Sequence, residues 1–387
     1  MAESVLVALR MKGDPAPGRH PWASTGFRSF FAGAAGFAAL AMPLWMLMLA
    51  QGLGTRGVFD GSEWHGHEML YGYAVAVLAG FFLTAVPKWT DRPIVSGAPL
   101  LGLFGLWLAG RLAVVSASPT LAMAVDVAFL PLLALAIGWP IYSARRTRNY
   151  GFPVLLLVQA GANLAWHLDW WHSRAEAVAL DAVVLIMVIV GGRIIPMFTN
   201  NAVKQANPQR IIVAERATNP LMVSLLVADA LAPWLAGPLA LACGITLAVR
   251  MARWGGLRSL KTPIVWVLHA GYLWIAVGLT LRGLDAIGLH HGLDARHALT
   301  AGGIGVLTLG MMSRVALGHS GRPLVVPRAI VVTYLLANVA ALLRMAVGVV
   351  GPHGLQLAGW LWTACFAVYF VLYLPILWSP RADGRPG

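Results

Sequence analysis

The chain has 387 residues, of which 59% are hydrophobic and 11% charged, with a mean hydropathy of +0.73 and a net charge of +13. Soluble domains carry about 25% charged residues, so the composition excludes an ordinary soluble protein and points to an all-α polytopic membrane protein whose first partner is the lipid bilayer. No Gly-rich stretch ends in Gly-Lys-Ser or Gly-Lys-Thr, which argues against ATP-driven transport.

A polar tail, 1–27, comes first. It carries Arg10, Lys12 and Arg19 but no apolar core, so no cleavable signal peptide is expected. A spanning helix needs about 20 apolar residues, and twelve segments qualify: 28–52, 65–87, 96–117, 119–143, 151–172, 177–199, 217–235, 236–252, 263–285, 297–318, 328–350 and 355–378. Pro233 and Pro238 crowd the break between the seventh and eighth. None of the polar segments is long enough to fold alone, so one membrane domain is expected over 1–387, with its bundle over 28–378.

Orientation follows from the basic residues. With the N-terminus inside, cytoplasmic segments hold 20 of the 28 lysines and arginines, whereas the opposite loops hold Arg56, Arg174 and Arg296. This bias predicts that both termini are cytoplasmic. It also accounts for the positive net charge, so no nucleic-acid partner is needed. Arg111, Arg193, Arg282, Arg314 and Arg344 fall inside spans. The two cysteines, Cys243 and Cys365, sit in apolar spans and read as small buried hydrophobes.

One segment occurs twice. His67 opens an apolar stretch that ends at Arg92-Pro93, and His297 opens another that ends, at the same spacing, at Arg322-Pro323. Between these ends Gly72 corresponds to Gly302, and Gly80 to Gly310. Two such helices would bring two imidazoles to one depth, as a protein does when it grips a flat metal macrocycle. Below the histidines, Gly72, Ala76 and Gly80 form one small-residue ladder, and Ala301 and Gly305 form another. These faces suit either a macrocycle or close helix packing.

Histidines are numerous for so apolar a chain. A titratable group in a span is a functional candidate because burying it is costly, and imidazole is a common ligand of haem iron and copper. In Trp64-His65-Gly66-His67-Glu68, residues two apart diverge by about 200° on a helix, so His65 and His67 do not chelate one ion unless the helix begins between them; they serve two centres, or one binds while the other hydrogen-bonds. Glu68 is the nearest proton donor, or else it orients an imidazole. His167 neighbours Asp169 and His172, which form either an orienting pair for its ring or an interfacial polar cluster. His290, His291 and His353 read as solvated. Toward the other side, His269 and His319 share a depth with Arg193 and Arg314, whose charges suit haem propionates or, equally, aspartates and backbone carbonyls. Asp126, Asp181 and Asp229 are further candidate partners for buried arginines and further proton carriers.

Several runs resemble the NnrS family: His65-Gly-His-Glu-Met-Leu-Tyr-Gly-Tyr through Leu83-Thr-Ala-Val-Pro-Lys-Trp-Thr, Gly192-Arg-Ile-Ile-Pro-Met-Phe-Thr, His269-Ala-Gly-Tyr-Leu-Trp, and His297-Ala-Leu-Thr through Met311-Met-Ser-Arg-Val-Ala-Leu-Gly-His-Ser-Gly-Arg-Pro. Position 320 is Ser where the family more often has Thr, and position 88 is Lys where it more often has Asn. The resemblance implies a bacterial inner-membrane protein with haem, expected as one or two b-type groups, and with copper. It implies a link to denitrification and to defence against nitric oxide. His65, His67, His269, His297 and His319 match its motifs one by one. Three functions follow as expectations: a nitric oxide-consuming oxidoreductase fed by quinol or a small electron carrier, a haem-based sensor or scavenger without turnover, and a transporter.

Overall fold

The structure, a computed structural model, describes residues 20–52, 57–289 and 292–385. His290, His291, Arg56 and the tail up to residue 19 lie outside the described residues. Twelve long helices run through the described residues: α1 (Gly26–Gln51), α2 (Gly61–Thr90), α3 (Ala98–Ser116), α4 (Pro119–Ser143), α5 (Gly151–His167), α6 (His172–Ala202), α7 (Ile212–Leu231), α8 (Pro233–Met251), α9 (Pro263–Ala286), α10 (Ala295–His319), α11 (Arg328–Met345) and α12 (Val347–Trp378). Each falls on one of the twelve expected segments, and the chain is an all-α polytopic membrane protein.

Ten of the twelve are long and apolar enough to cross a bilayer. The other two fall short for different reasons. Helix α5 has only 17 residues, which at about 1.5 Å per residue is less than the roughly 30 Å hydrocarbon core. Helix α7 has sufficient length but carries Glu215, Arg216, Asn219 and Asp229.

Local chemistry sets the helix boundaries. Proline opens α3, α4, α8 and α9 within the first turn, where its missing N–H costs nothing. Gly52 ends α1 in the left-handed conformation that glycine adopts without strain. Gly351, at φ 71°, kinks α12 near its start. The two histidine helices begin alike. The Asp60 side chain accepts the N–H groups of Ser62 and Glu63 to start α2, and Asp294 accepts the N–H of His297 to start α10. Both then widen into π-helical turns, over Glu68–Ala74 and Ala298–Val306 respectively. Such turns are rare and are often found at functional sites.

The chain divides into two compact units. Unit 1 comprises residues 1–170, 312–324 and 367–387, and unit 2 comprises 171–311 and 325–366. Within unit 1, α1 packs on α2, α3 on α4, and α4 on both α2 and α5. Within unit 2, α9 packs on α6, α8 and the first half of α10, and α7 packs on α6 and α8. Large apolar side chains such as Leu40, Leu135 and Trp234 stay exposed on helix faces, as lipid-facing residues do.

The repeat seen in the sequence extends to the packing. Gly72 of α2 faces Phe37 of α1, and Gly302 of α10 faces Trp274 of α9. Eight residues on, Gly80 faces Phe30 and Phe31, while Gly310 faces Val267 and Leu268. Phe31 and Phe37 are spaced as Leu268 and Trp274 are, so each unit docks a helix on the same glycine face in the same register. A Cβ at Gly72 would approach the Phe37 ring to 2.5 Å, and one at Gly302 would approach the Trp274 ring to 2.5 Å. Aromatic rings therefore cover Gly72, Gly80, Gly302 and, from Trp362, Gly305, while aliphatic side chains cover Gly310. The ladders serve close helix packing.

Candidate metal centre

His67 and Glu68 lie where α2 passes from α-helical to π-helical turns, and both are fully buried in unit 1. Four helices supply the side chains around them. His67 Nδ1 lies 2.9 Å from Glu68 Oε1, and its Nε2 lies 2.9 Å from Asn163 Oδ1 and 3.1 Å from Asp126 Oδ2. His167 Nε2 meets the same Asp126 Oδ2 at 3.0 Å, and the Asn163 amide donates to it at 2.8 Å. Asn163 and His167 are four residues apart on α5, which puts them on one face. From α3, the Arg111 guanidinium donates to Glu68 Oε1 at 2.8 Å and also to Asp126 Oδ1. The rings of Phe59, Tyr71 and Trp166 surround His67 at 4.6, 4.8 and 5.6 Å between centroids and close the cluster off from water.

Two features make this cluster a candidate cation site. The first is charge: two carboxylates face one guanidinium, leaving one uncompensated negative charge among buried groups, which is costly unless a cation or proton balances it. The second is the donor set. Asp126 Oδ2 accepts from the Asn163 amide and meets His167 Nε2, and His67 Nε2, hydrogen-bonded to Asn163 Oδ1, lies 3.1 Å from the same oxygen. Two imidazoles and a carboxylate so close together are ligand types that suit a transition-metal ion.

His67, His167 and Asp126 each offer one ligand atom, and these atoms lie within 4.8 Å of one another. Ligands about 2.1 Å from a tetrahedral ion sit roughly 3.4 Å apart, so the nitrogen–oxygen separations here need only a small expansion. Glu68 already holds the second nitrogen of His67, the usual outer support of a metal-bound imidazole. A macrocycle does not fit at His67 as it is placed. The rings of Phe59, Tyr71 and Trp166 pack directly around it, where a macrocycle would have to lie.

Of the residues singled out in the sequence, the structure brings together His67, Glu68 and His167. Asp126, not the neighbouring Asp169, meets the His167 ring. The other candidates lie elsewhere. His65 stacks on Trp45 at 4.1 Å between centroids, and His319 lies against Phe27 at 5.8 Å, both in unit 1. Arg314 is buried in the unit 1 portion of α10. In unit 2, His269 Nε2 meets the Thr199 hydroxyl at 2.8 Å, and Arg193 is half-buried on α6. His297 Nδ1, also in unit 2, lies 2.6 Å from Asp294. Sequence reasoning missed Asn163 altogether. It named Asp126 as a candidate partner for a buried arginine and as a proton carrier, and Arg111 as an arginine inside a span; that apolar context was the one signal available for all three.

A family model described as NnrS, the NnrS protein, matches residues 21–381. No curated protein matches the chain. The matched stretch covers all twelve helices, including the four that build the buried His67, Asp126 and His167 cluster, and the chain therefore belongs to the NnrS family, which is linked to the response to nitric oxide.

Proposed function

We propose that His67, His167 and Asp126 bind one transition-metal ion and that the protein uses it to bind and consume nitric oxide in the bacterial cytoplasmic membrane. The carrying observation is the convergence of two imidazole nitrogens and an amide donor on one buried carboxylate oxygen. Two histidines and one carboxylate with open positions are the donor set of non-haem iron, and imidazole also suits copper. When bound, such a metal supplies a ligand position for nitric oxide and a change of oxidation state. The chain supplies the rest. Glu68 fixes the orientation of His67, Arg111 holds Glu68 and Asp126 in place, and Phe59, Tyr71 and Trp166 exclude water. Glu68 Oε2 is buried and has no hydrogen-bond donor, so it is the atom best placed to hold a proton for turnover. Electrons come from quinol or a small carrier, and both termini face the cytoplasm, as the basic residues predict.

The test is metal analysis and a visible spectrum of the purified protein, followed by nitric oxide consumption with an electron donor. About one iron or copper per chain is expected, lost in each of His67→Ala, His167→Ala and Asp126→Ala. Full metal content in all three variants overturns the assignment. A haem spectrum that these variants keep, but that replacement of His65, His269, His297 or His319 removes, moves the chemistry to haem. Binding of one equivalent of nitric oxide without continued consumption marks a scavenger or sensor.

A further inference from the structure

Unit 2 contains a second buried ionic group, built on α6, α7 and α9. Arg282 Nη1 lies 3.3 Å from Asp181 Oδ1, and its Nη2 donates to Asp229 Oδ1. Asp181 is fully buried and Asp229 is 5% exposed. The second oxygen of each carboxylate is buried and has no hydrogen-bond donor, yet the two carboxyl groups lie within hydrogen-bonding reach of each other. The neighbouring α8 adds only the Cys243 thiol, which lies within electrostatic reach of Asp181. One guanidinium cannot neutralise two carboxylates, and a leftover charge in an apolar span costs several kcal/mol. Two carboxylates this near each other also repel unless a proton or metal ion lies between them.

We propose that Asp181 and Asp229 form a proton-binding pair that holds one proton between their Oδ2 atoms, with Arg282 balancing the remaining charge. The proton comes from water. It bonds to Oδ2 of one carboxyl group, which donates it to Oδ2 of the other, and no electron moves. The pair lies near helix ends: the Arg282 side chain is 25% exposed and sits in the last turn but one of α9, while Asp229 sits two residues from the end of α7. With no imidazole in the group, its chemistry favours a proton over a transition metal. This makes unit 2 a site of proton loading and release within the membrane, independent of the metal centre proposed for unit 1.

Infrared spectroscopy of the purified protein in lipid nanodiscs, in light and heavy water, tests this. At neutral pH the wild type should show the carbonyl band of a protonated carboxylic acid, shifted in heavy water. In a Glu68→Gln background, which removes any acid band from Glu68, Asp181→Asn and Asp229→Asn should each lose that band, because one carboxylate with Arg282 is already neutral. Asp229→Glu should keep the band at a changed frequency. The wild type also serves without any variant: the band should convert to carboxylate absorption at alkaline pH and resist added sodium. A band that persists in both Asn variants places the proton elsewhere and overturns the proposal. So does a wild type with no acid band, or a band that sodium removes, which would make the pair a sodium site.

Discussion

Unit 1 and unit 2 solve the same electrostatic problem with different materials. Each sets one guanidinium between two buried carboxylates, Arg111 with Glu68 and Asp126 in one and Arg282 with Asp181 and Asp229 in the other. Unit 1 adds His67 and His167 within 3.1 Å of Asp126, whereas the unit 2 group has no imidazole. The comparison separates two properties that are easily confused. A buried excess of negative charge creates demand for a cation, but only nitrogen donors at ligand spacing turn that demand into a transition-metal site.

The sharpest break between the units is metal retention. Asp126→Asn should strip the metal from the purified protein, whereas Asp181→Asn should leave metal content at the wild-type level; equal loss in both would erase the distinction. Next in size is the cost of removing each arginine. Arg111 is 5% exposed and Arg282 25% exposed. Leaving buried carboxylates uncompensated costs about 3–5 kcal/mol, so Arg111→Met should destabilise by that amount in denaturant unfolding. Arg282→Met, partly solvated, should cost about 1.5–3 kcal/mol, the range for hydrogen bonds to charged groups. A reversed order would show that Arg282 supports the greater load.

Smaller effects refine the picture. Glu68→Gln keeps the shape but weakens the support of His67, and should lower metal affinity by about 10–100-fold in competition with a chelator. An unchanged affinity would make Glu68 a packing group. The smallest effect lies at the cap of α10. Burial pushes the Asp294 carboxyl up, but hydrogen bonds from His297 and the Arg344 charge outweigh it and hold the group down at about 2, against an ordinary 3.8. Its contribution is therefore full above about pH 4 and disappears as the pH falls through about 2. Asp294→Asn keeps the cap but loses the charge facing Arg344, and should cost about 0.2–1 kcal/mol at neutral pH, with the difference from wild type vanishing in strong acid.

Much of this fold was legible in the sequence, for a simple reason. A bilayer forces backbone hydrogen bonds inside each helix, so apolar runs alone located all twelve elements. The shared glycine spacing was legible too, but it pointed equally to a macrocycle face and to close packing; that α2 and α10 receive their neighbours in one register is visible only in the structure. The metal cluster was only half legible. His67 and Glu68 are adjacent in the chain and could be read together, but Asp126 and His167 are 41 positions apart. Their meeting depends on how α4 and α5 are rotated about their axes, which composition does not specify. His167 was therefore paired with nearby Asp169. The two π-helical turns left no signal that hydropathy could register.

Arg28 links the two ends of unit 1. It is fully buried near the start of α1, and its Nη1 donates to the carbonyl of Leu377, at the end of α12, at 2.9 Å and to that of Ser379, just beyond it, at 2.5 Å. During synthesis, α1 enters the membrane long before α12 exists, and until then this guanidinium has none of those carbonyls to bond. Unit 1 is thus completed last even though it begins first, while the segments of unit 2 are made in the interval. The N-terminal helices must wait as a partly assembled intermediate with a cation in need of shelter, and nascent chains halted before α12 should be the form that membrane quality control removes fastest.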